Sequence, residues 1–333
     1  MSKKWLAFAL KFALSGLLIW YLLSKIDLAA AWERVLGVAP VPLALAAGLM
    51  LLQIVLGSVR WLAVLDSIAA LLPFRRTLEI FYIAGFFNQV LPSSVGGDAV
   101  RMWLARRAGL SMAGAINGVM LERLVTVFGL VLLVALTQPL LYSRISDPAT
   151  RMVFPLLTLG GVVGIVVLML MDRAPARVRH LKIVRGLAKL AADTRLLFLK
   201  PLHALRALLL AILGHVNLSI ATYVLAVGLD IEVGLVDCLV LVPPVILITT
   251  LPISIAGWGV RETAMVTAFG FVGVAADSAL VLSILLGLLN VAVCLPGGLI
   301  WLLSGERRAH PDAAREIEAI ELDAEADIPK VDR

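Results

Sequence analysis

The chain has 333 residues, of which 61% are hydrophobic and 16% are charged, and its mean hydropathy is +1.00. Soluble domains are about 45–50% apolar and about 25% charged, so this composition excludes a soluble enzyme, a DNA-binding domain and a disordered chain, and predicts an integral membrane protein. The net charge of +6 does not indicate nucleic-acid binding. The apolar residues 1–303 hold 24 Lys and Arg against 14 Asp and Glu, whereas residues 304–333 hold 5 against 9. The basic excess therefore lies in the membrane part, where it is explained by the orientation of the spans.

Six apolar stretches are long enough to cross the hydrocarbon core as helices, which takes about 20 residues. They are 5–23, 41–65, 113–141, 153–171, 205–228 and 278–303. The first follows two lysines as a signal peptide would, but its length and an internal lysine favour a retained helix. We therefore predict an all-α polytopic membrane domain over residues 1–303.

Two further regions, about 77–107 and 233–272, are apolar but broken at the centre by Pro, Gly and Ser, which predicts a helix end followed by a helix start. Arginines flank the first region on both sides and acidic residues flank the second. Basic flanks stay in the cytoplasm, so we predict two re-entrant hairpins that enter the membrane from opposite sides. The alternative is eight plain spans, which would place the arginines after the first region and the basic residues 173–206 on opposite sides.

The same charge argument predicts that the N- and C-termini face the cytoplasm and that the protein lies in the cell (inner) membrane. Residues 173–206 are then either a basic amphipathic helix on the cytoplasmic surface or a plain cytoplasmic loop. Residues 304–333 are expected to form an acidic, disordered cytoplasmic tail.

The two broken regions resemble each other in sequence. LPSSVGGDAVR (91–101) aligns without a gap on LPISIAGWGVR (251–261), and six of the eleven positions are identical. With opposed orientations this is an inverted repeat, and inverted repeats with broken helices at mid-membrane are typical of transporters.

A break in a membrane helix exposes backbone N–H groups at the start of the second arm, where the helix dipole favours an anion. Small residues at the breaks allow a ligand to approach the backbone closely, and two arginines follow them. The predicted phosphate-binding positions are Ser93, Ser94, Gly97, Arg101, Ser254, Gly257 and Arg261. Each arginine either binds phosphate in a bidentate manner or forms an internal salt bridge. Asp98 is expected to cap the helix that begins at residue 99.

Charged residues also occur inside the span 113–141, where Glu122 and Arg123 are expected near the membrane midplane. Neighbouring residues on a helix point in different directions, so we expect them to pair with other elements, with Glu122–Arg261 or Arg123–Glu262 as options. Glu122 could instead carry a coupling proton. Arg60 is interpreted as a residue that extends to the cytoplasmic surface.

Three motifs together resemble the flippase-like membrane region of lysylphosphatidylglycerol synthases: NQVLPSSVGGDAVR (88–101), the Glu122–Arg123 pair, and LPISIAGWGVRE (251–262). The resemblance covers most of residues 5–303 and implies two re-entrant hairpins around a polar cavity. It also implies movement of charged or glycosylated lipids between leaflets. The cavity residues that it implies are Asn88, Asp98, Arg101, Glu122, Arg123, Arg261 and Glu262, with gating or charge-pairing roles for Asp98, Glu122, Arg123 and Glu262.

The resemblance leads to a functional expectation: a flippase for an anionic, aminoacylated or glycosylated lipid. Bifunctional members make the lipid in a cytoplasmic aminoacyl-transferase domain that is not found in these residues, so we expect no enzymatic activity, no cofactor and no metal. Expected partners are membrane lipids with phosphate headgroups, and a lipid-synthesis enzyme is a further candidate. The alternatives are a membrane-embedded lipid-modifying enzyme, or a non-transporting partner of a lipid or envelope polysaccharide synthesis complex.

Overall fold

The computed structural model describes residues 37–91, 96–142, 200–250 and 257–304, together with some residues between 152 and 167. The predicted span 5–23 and the acidic tail lie outside the described residues, except for residue 304. The predicted span 153–171 and the basic segment 173–206 lie largely outside them.

The described residues between 152 and 167 are helical, and the other described ranges form eight helices. In chain order they are α1 (Pro40–Ser67), α2 (Phe74–Val90), α3 (Gly96–Arg107), α4 (Met112–Tyr142), α5 (Pro201–Gly228), α6 (Leu235–Thr249), α7 (Val260–Gly270) and α8 (Ala276–Leu303). Both α1 and α5 begin with a proline and span 28 residues. Proline is well suited to a first helical position because its missing N–H would have no intrahelical partner there.

Four of the described helices are long and apolar enough to cross a membrane, namely α1, α4, α5 and α8. They correspond to the predicted spans 41–65, 113–141, 205–228 and 278–303, which confirms those four. Large apolar side chains on their outer faces are exposed, including Leu45 at 57% and Leu209 at 55%. Exposed apolar surface on this scale is expected where a protein contacts lipid.

Each predicted broken region contains two separate helices, α2 and α3 in the first and α6 and α7 in the second. The helices of each pair pack against each other. This arrangement fits a hairpin, while entry into and return from the same membrane face stays a prediction.

The helices α1–α4 correspond one to one with α5–α8. Each main contact between two described helices has a counterpart between the corresponding helices. The helices α1 and α5 pack together, and each also contacts the first helix of its own broken pair. The helix that follows each pair, α4 or α8, contacts the second helix of its own pair and the first helix of the other. Two repeats of four helices produce such a pattern. Opposite orientation of the two repeats in the membrane stays a prediction.

Two apolar clusters hold the broken pairs inside the bundle. One cluster contains Ile80, Ile83 and Leu104 of α2 and α3, packed with Trp61 of α1. The other contains Leu241 of α6 together with residues of α1, α5, α7 and α8. Apolar packing against the longer helices therefore fixes the positions of the shorter ones.

Candidate functional site: a cavity between the broken helices

A cavity of about 320 Å³ lies where the ends of the broken helices meet. Its lining comes from both repeats and from the long helices: Met50, Gln53, Ile54, Asn88, Gln89, Arg123, Leu218, Ile246, Thr249, Thr250, Gly257, Arg261, Leu286 and Asn290. Gln53 and Asn290 stand near the middle of α1 and α8, which have 28 residues each. The cavity is therefore at mid-height in the bundle, at the depth expected for a transporter binding site.

Arg261, in the first turn of α7, is held at the cavity wall by several contacts. Its Nε and Nη2 donate to Glu262 Oε1 at 3.0 and 2.6 Å, and its guanidinium lies 4.8 Å from the centre of the Trp258 ring. Nε also lies 3.3 Å from Ser283 Oγ of α8. The stacking and the two hydrogen bonds hold the guanidinium at the cavity wall, where its charge can attract an anion.

The turn before α7 requires glycine. Gly257 and Gly259 have φ values of +80° and +85°, a left-handed conformation that glycine adopts without steric cost. The N–H of Gly259 donates to Glu262 Oε2 at 2.6 Å. Glu262 therefore uses one oxygen to cap α7 and the other to bind Arg261, and it is 2% exposed.

A chain of charged side chains, buried except at Arg123, connects α1, α3 and α4 beside the cavity. Arg60 donates from Nε and Nη2 to Glu122 Oε1 at 2.8 and 2.5 Å, and Arg101 donates from Nη2 to Glu122 Oε2 at 2.9 Å. Asp98 lies 3.6 Å from Arg101 and accepts a hydrogen bond from Arg123 Nε. Three arginines thus share two carboxylates, and Arg123 extends this chain to the cavity wall.

Arg101 itself does not line the cavity. It is 3% exposed, and its guanidinium lies 4.8 Å from the Trp61 ring and 5.3 Å from the Phe81 ring. The guanidinium contacts two aromatic rings and also binds Glu122, so it is enclosed by protein.

One described N–H group near each of the two helix starts is bonded to a side chain of the protein. The N–H of Gly97 in α3 donates to Asn88 Oδ1 of α2 at 3.1 Å, and the N–H of Gly259 is held by Glu262. These two donors are therefore not free for a phosphate. The side chains of Arg123 and Arg261 bring positive charge to the cavity lining.

The structure thus separates the predicted site residues into groups. Asn88, Gly257, Arg261 and Arg123 line the cavity. A second group lies behind the lining residues and contacts them directly or through the charge chain: Gly97, Asp98, Arg101, Glu122 and Glu262. Ser93, Ser94 and Ser254 lie outside the described residues.

Three sequence-based assignments in this region are wrong. Asp98 is not a helix cap, because α3 already begins at Gly96 and the Asp98 side chain binds Arg123. Arg60 does not extend to the surface, since it is 6% exposed and bonded to Glu122. The pairings Glu122–Arg261 and Arg123–Glu262 are not formed. Glu122 binds Arg60 of α1 instead, and Glu262 binds Arg261, its neighbour in α7.

Gln53 and Asn290 were not predicted as site residues, although both line the cavity. Gln53 Oε1 accepts a hydrogen bond from Asn217 Nδ2 of α5 at 3.0 Å, which orients the amide. A polar amide at the centre of an otherwise apolar span was the signal that could have identified both.

A larger cavity of about 660 Å³ lies at the ends of the long helices, between Ser67, Gly109 and Lys200. Among its described lining residues none is a predicted site residue. Lys200 Nζ donates to the carbonyl of Ser67 at 2.8 Å, so this amine already has a protein partner. We therefore assign the candidate site to the smaller cavity.

The fold and the cavity together define a multi-pass helical membrane protein with a polar site at mid-height. The family model for the lysylphosphatidylglycerol synthase TM region matches residues 8–298, and the chain belongs to this family. A search of the curated proteins finds no match.

Proposed function

We propose that the protein is a lipid flippase that moves an anionic, aminoacylated or glycosylated lipid between the leaflets of the inner membrane. The observation that carries the proposal is the cavity of about 320 Å³, which combines two arginines from different repeats with amide side chains in the middle of an apolar bundle. Family membership supports a role connected with membrane lipids.

The physical obstacle to lipid transfer is the headgroup, because a charged group is costly in the hydrocarbon core. A headgroup that enters this cavity exchanges its hydrogen bonds to water for hydrogen bonds to the guanidinium groups of Arg123 and Arg261 and to the amides that line the wall. The acyl chains stay in the bilayer, which already solvates them. The protein then lowers the barrier without chemical change to the lipid.

The experiment is reconstitution of the full chain into vesicles that carry a fluorescent phospholipid. Dithionite does not cross the membrane, so transfer is read from the additional fluorophore that it reduces after the lipid reaches the outer leaflet. We expect the wild-type chain to accelerate transfer, and Arg261→Gln and Arg123→Gln each to slow it by about tenfold or more, since a hydrogen bond to a charged group contributes about 1.5–3 kcal/mol. Arg75→Gln is the matched control, because Arg75 is exposed and does not line the cavity.

Transfer no faster than in empty vesicles would overturn the proposal and favour a non-transporting partner of a synthesis complex. Chemically altered lipid detected by mass spectrometry would favour a lipid-modifying enzyme instead.

The proposal also assumes the hairpin topology. Single cysteines introduced next to Arg76 and next to Arg107 should both react with an impermeant thiol reagent from the cytoplasmic side. Reaction from opposite sides would mean that α2 and α3 together cross the membrane, and the opposed-hairpin arrangement would then be wrong.

A further inference from the structure

The chemistry of the cavity lining distinguishes between the lipid classes that a flippase of this family could carry. We infer that the site takes a phosphate joined to an uncharged polyhydroxyl group, such as a glycerol or a sugar, and that it discriminates against headgroups with an amino cation. This inference rests on the proposed function and specifies its substrate.

The charge of the lining is the first argument. The described lining residues include Arg123 and Arg261 and no aspartate or glutamate. Each of these arginines is paired with a buried carboxylate: Arg123 binds Asp98 Oδ2 and Arg261 binds Glu262 Oε1, and the two acids are 4% and 2% exposed. Among the described lining residues, an ammonium group would therefore meet the two guanidinium groups, while the carboxylates that pair with them are buried behind them.

The hydrogen-bonding capacity of the amides is the second argument. Asn88 Oδ1 accepts from the N–H of Gly97, and Gln53 Oε1 accepts from Asn217. One lone pair of each oxygen is thus used within the protein, and each amide keeps its N–H donors. Guanidinium and amide donors together match phosphate and hydroxyl oxygens, whereas an ammonium group is itself only a donor and requires acceptors.

The size of the cavity is the third argument. Its volume of about 320 Å³ lies at the lower end of small-molecule sites, which span about 300–1,000 Å³. This volume suits one headgroup without its acyl chains. The apolar part of the wall, formed by Met50, Leu218 and Leu286, gives a surface for the carbon skeleton of a polyol or sugar.

The test compares lipids that share acyl chains and differ in the headgroup. Phosphatidylglycerol carries a phosphate and a free glycerol, and lysylphosphatidylglycerol adds a cationic lysyl ester. In vesicles of phosphatidylcholine that contain the full chain, we expect phosphatidylglycerol to transfer at least tenfold faster than lysylphosphatidylglycerol. Equal rates, or faster transfer of the lysyl lipid, would overturn the inference.

Binding measured in detergent separates this inference from the proposed function. Short-chain phosphatidylglycerol should raise the melting temperature of the wild-type protein at lower concentration than short-chain lysylphosphatidylglycerol does. If binding discriminates but no lipid is transferred, the headgroup assignment stands and the flippase proposal fails. If binding does not discriminate, the headgroup assignment fails whatever the transfer rate.

A single substitution should reverse the preference. Asn290→Asp introduces a carboxylate into the cavity with almost no change of shape, so affinity for the lysyl lipid should rise and affinity for phosphatidylglycerol should fall, each by about tenfold. Asn117→Asp makes the same change in the larger cavity and should leave the preference unaltered. Retention of the wild-type preference in a folded Asn290→Asp protein would also overturn the inference.

Discussion

The two broken regions place an arginine at the same position of the same motif, but in different surroundings. Arg101 is enclosed between two aromatic rings and bonded to Glu122, and it does not reach the cavity. Arg261 stacks on Trp258, shares its carboxylate with a helix cap and forms part of the cavity wall. Equivalent residues of a repeat can therefore have different roles: Arg101 holds helices together, whereas Arg261 is available to a ligand.

The enclosed charge chain should be the more sensitive region. Glu122→Gln would leave Arg60 and Arg101 buried without their shared carboxylate, and loss of one partner of a buried ion pair costs about 3–5 kcal/mol. We expect a large fall in melting temperature in detergent. Glu262→Gln should cost less, because Arg261 adjoins the cavity.

Glu79→Gln is the control for this comparison. Glu79 is 28% exposed in its pair with Arg76, and pairs of this kind contribute about 0–1 kcal/mol. A Glu122→Gln protein as stable as Glu79→Gln would show that the charge chain does not stabilise the bundle.

The aligned glycines Gly97 and Gly257 should respond differently to substitution. A Cβ at Gly97 would overlap the Ala84 carbonyl and the Asn88 side chain, whereas at Gly257 its nearest neighbour would be 3.9 Å away and the constraint is the φ of +80°. Gly97→Ala should cost about 1–3 kcal/mol through overpacking, and Gly257→Ala about 1–2 kcal/mol through left-handed backbone strain.

Asparagine distinguishes the two causes, because it tolerates the left-handed conformation better than alanine does. Melting curves should show Gly257→Asn more stable than Gly257→Ala, and Gly97→Asn less stable than Gly97→Ala. The same order at both positions would mean that one constraint acts at both.

A substitution at Gly287 of α8 can displace the Arg261 guanidinium and leave its charge in place. A Cβ at Gly287 would overlap the Arg261 guanidinium, which is the flexible end of its side chain and can move aside. Gly287→Ala should therefore slow lipid transfer by about tenfold, equivalent to about 1.4 kcal/mol, with little change in melting temperature.

The control is Gly48→Ala in α1, where an added Cβ meets nothing within 4 Å. Equal transfer rates for Gly287→Ala and the wild type would show that the observed placement of Arg261 is not required.

The smallest effect is expected for Ser283→Ala. The Ser283 hydroxyl lies 3.3 Å from both Arg261 Nε and Glu262 Oε1, which are long hydrogen bonds. Its loss should lower stability by about 1 kcal/mol or less, as measured by chemical denaturation. A loss as large as that of Glu122→Gln would place Ser283 among the residues that hold the second repeat together.

The sequence predicted an all-helical membrane protein and four of its spans correctly, because length and apolarity identify spans directly. The ends of α1, α4, α5 and α8 follow the predicted apolar stretches, and Pro and Gly mark the breaks before α3 and α7. The cavity residues Asn88, Gly257 and Arg261 were also predicted from their motifs.

Charge pairing was much harder to predict. The partner of Glu122 depends on how α1 and α3 lie against α4, and the sequence contains no direct record of that packing. Arg60 was misplaced because an arginine near a helix end usually reaches the surface, whereas here the neighbouring helices enclose it. Gln53 and Asn290 were missed because an isolated amide gives only a weak signal.

The interleaved packing of the repeats has a consequence for biogenesis. Because α5 packs on α1 and α4, α6 packs on α4, and α8 packs on α1 and α2, the first four described helices leave the ribosome with contact surfaces on α1, α2 and α4 unfilled. Their final arrangement must wait for the later part of the polypeptide, so the folding of this bundle is completed only after synthesis reaches α8.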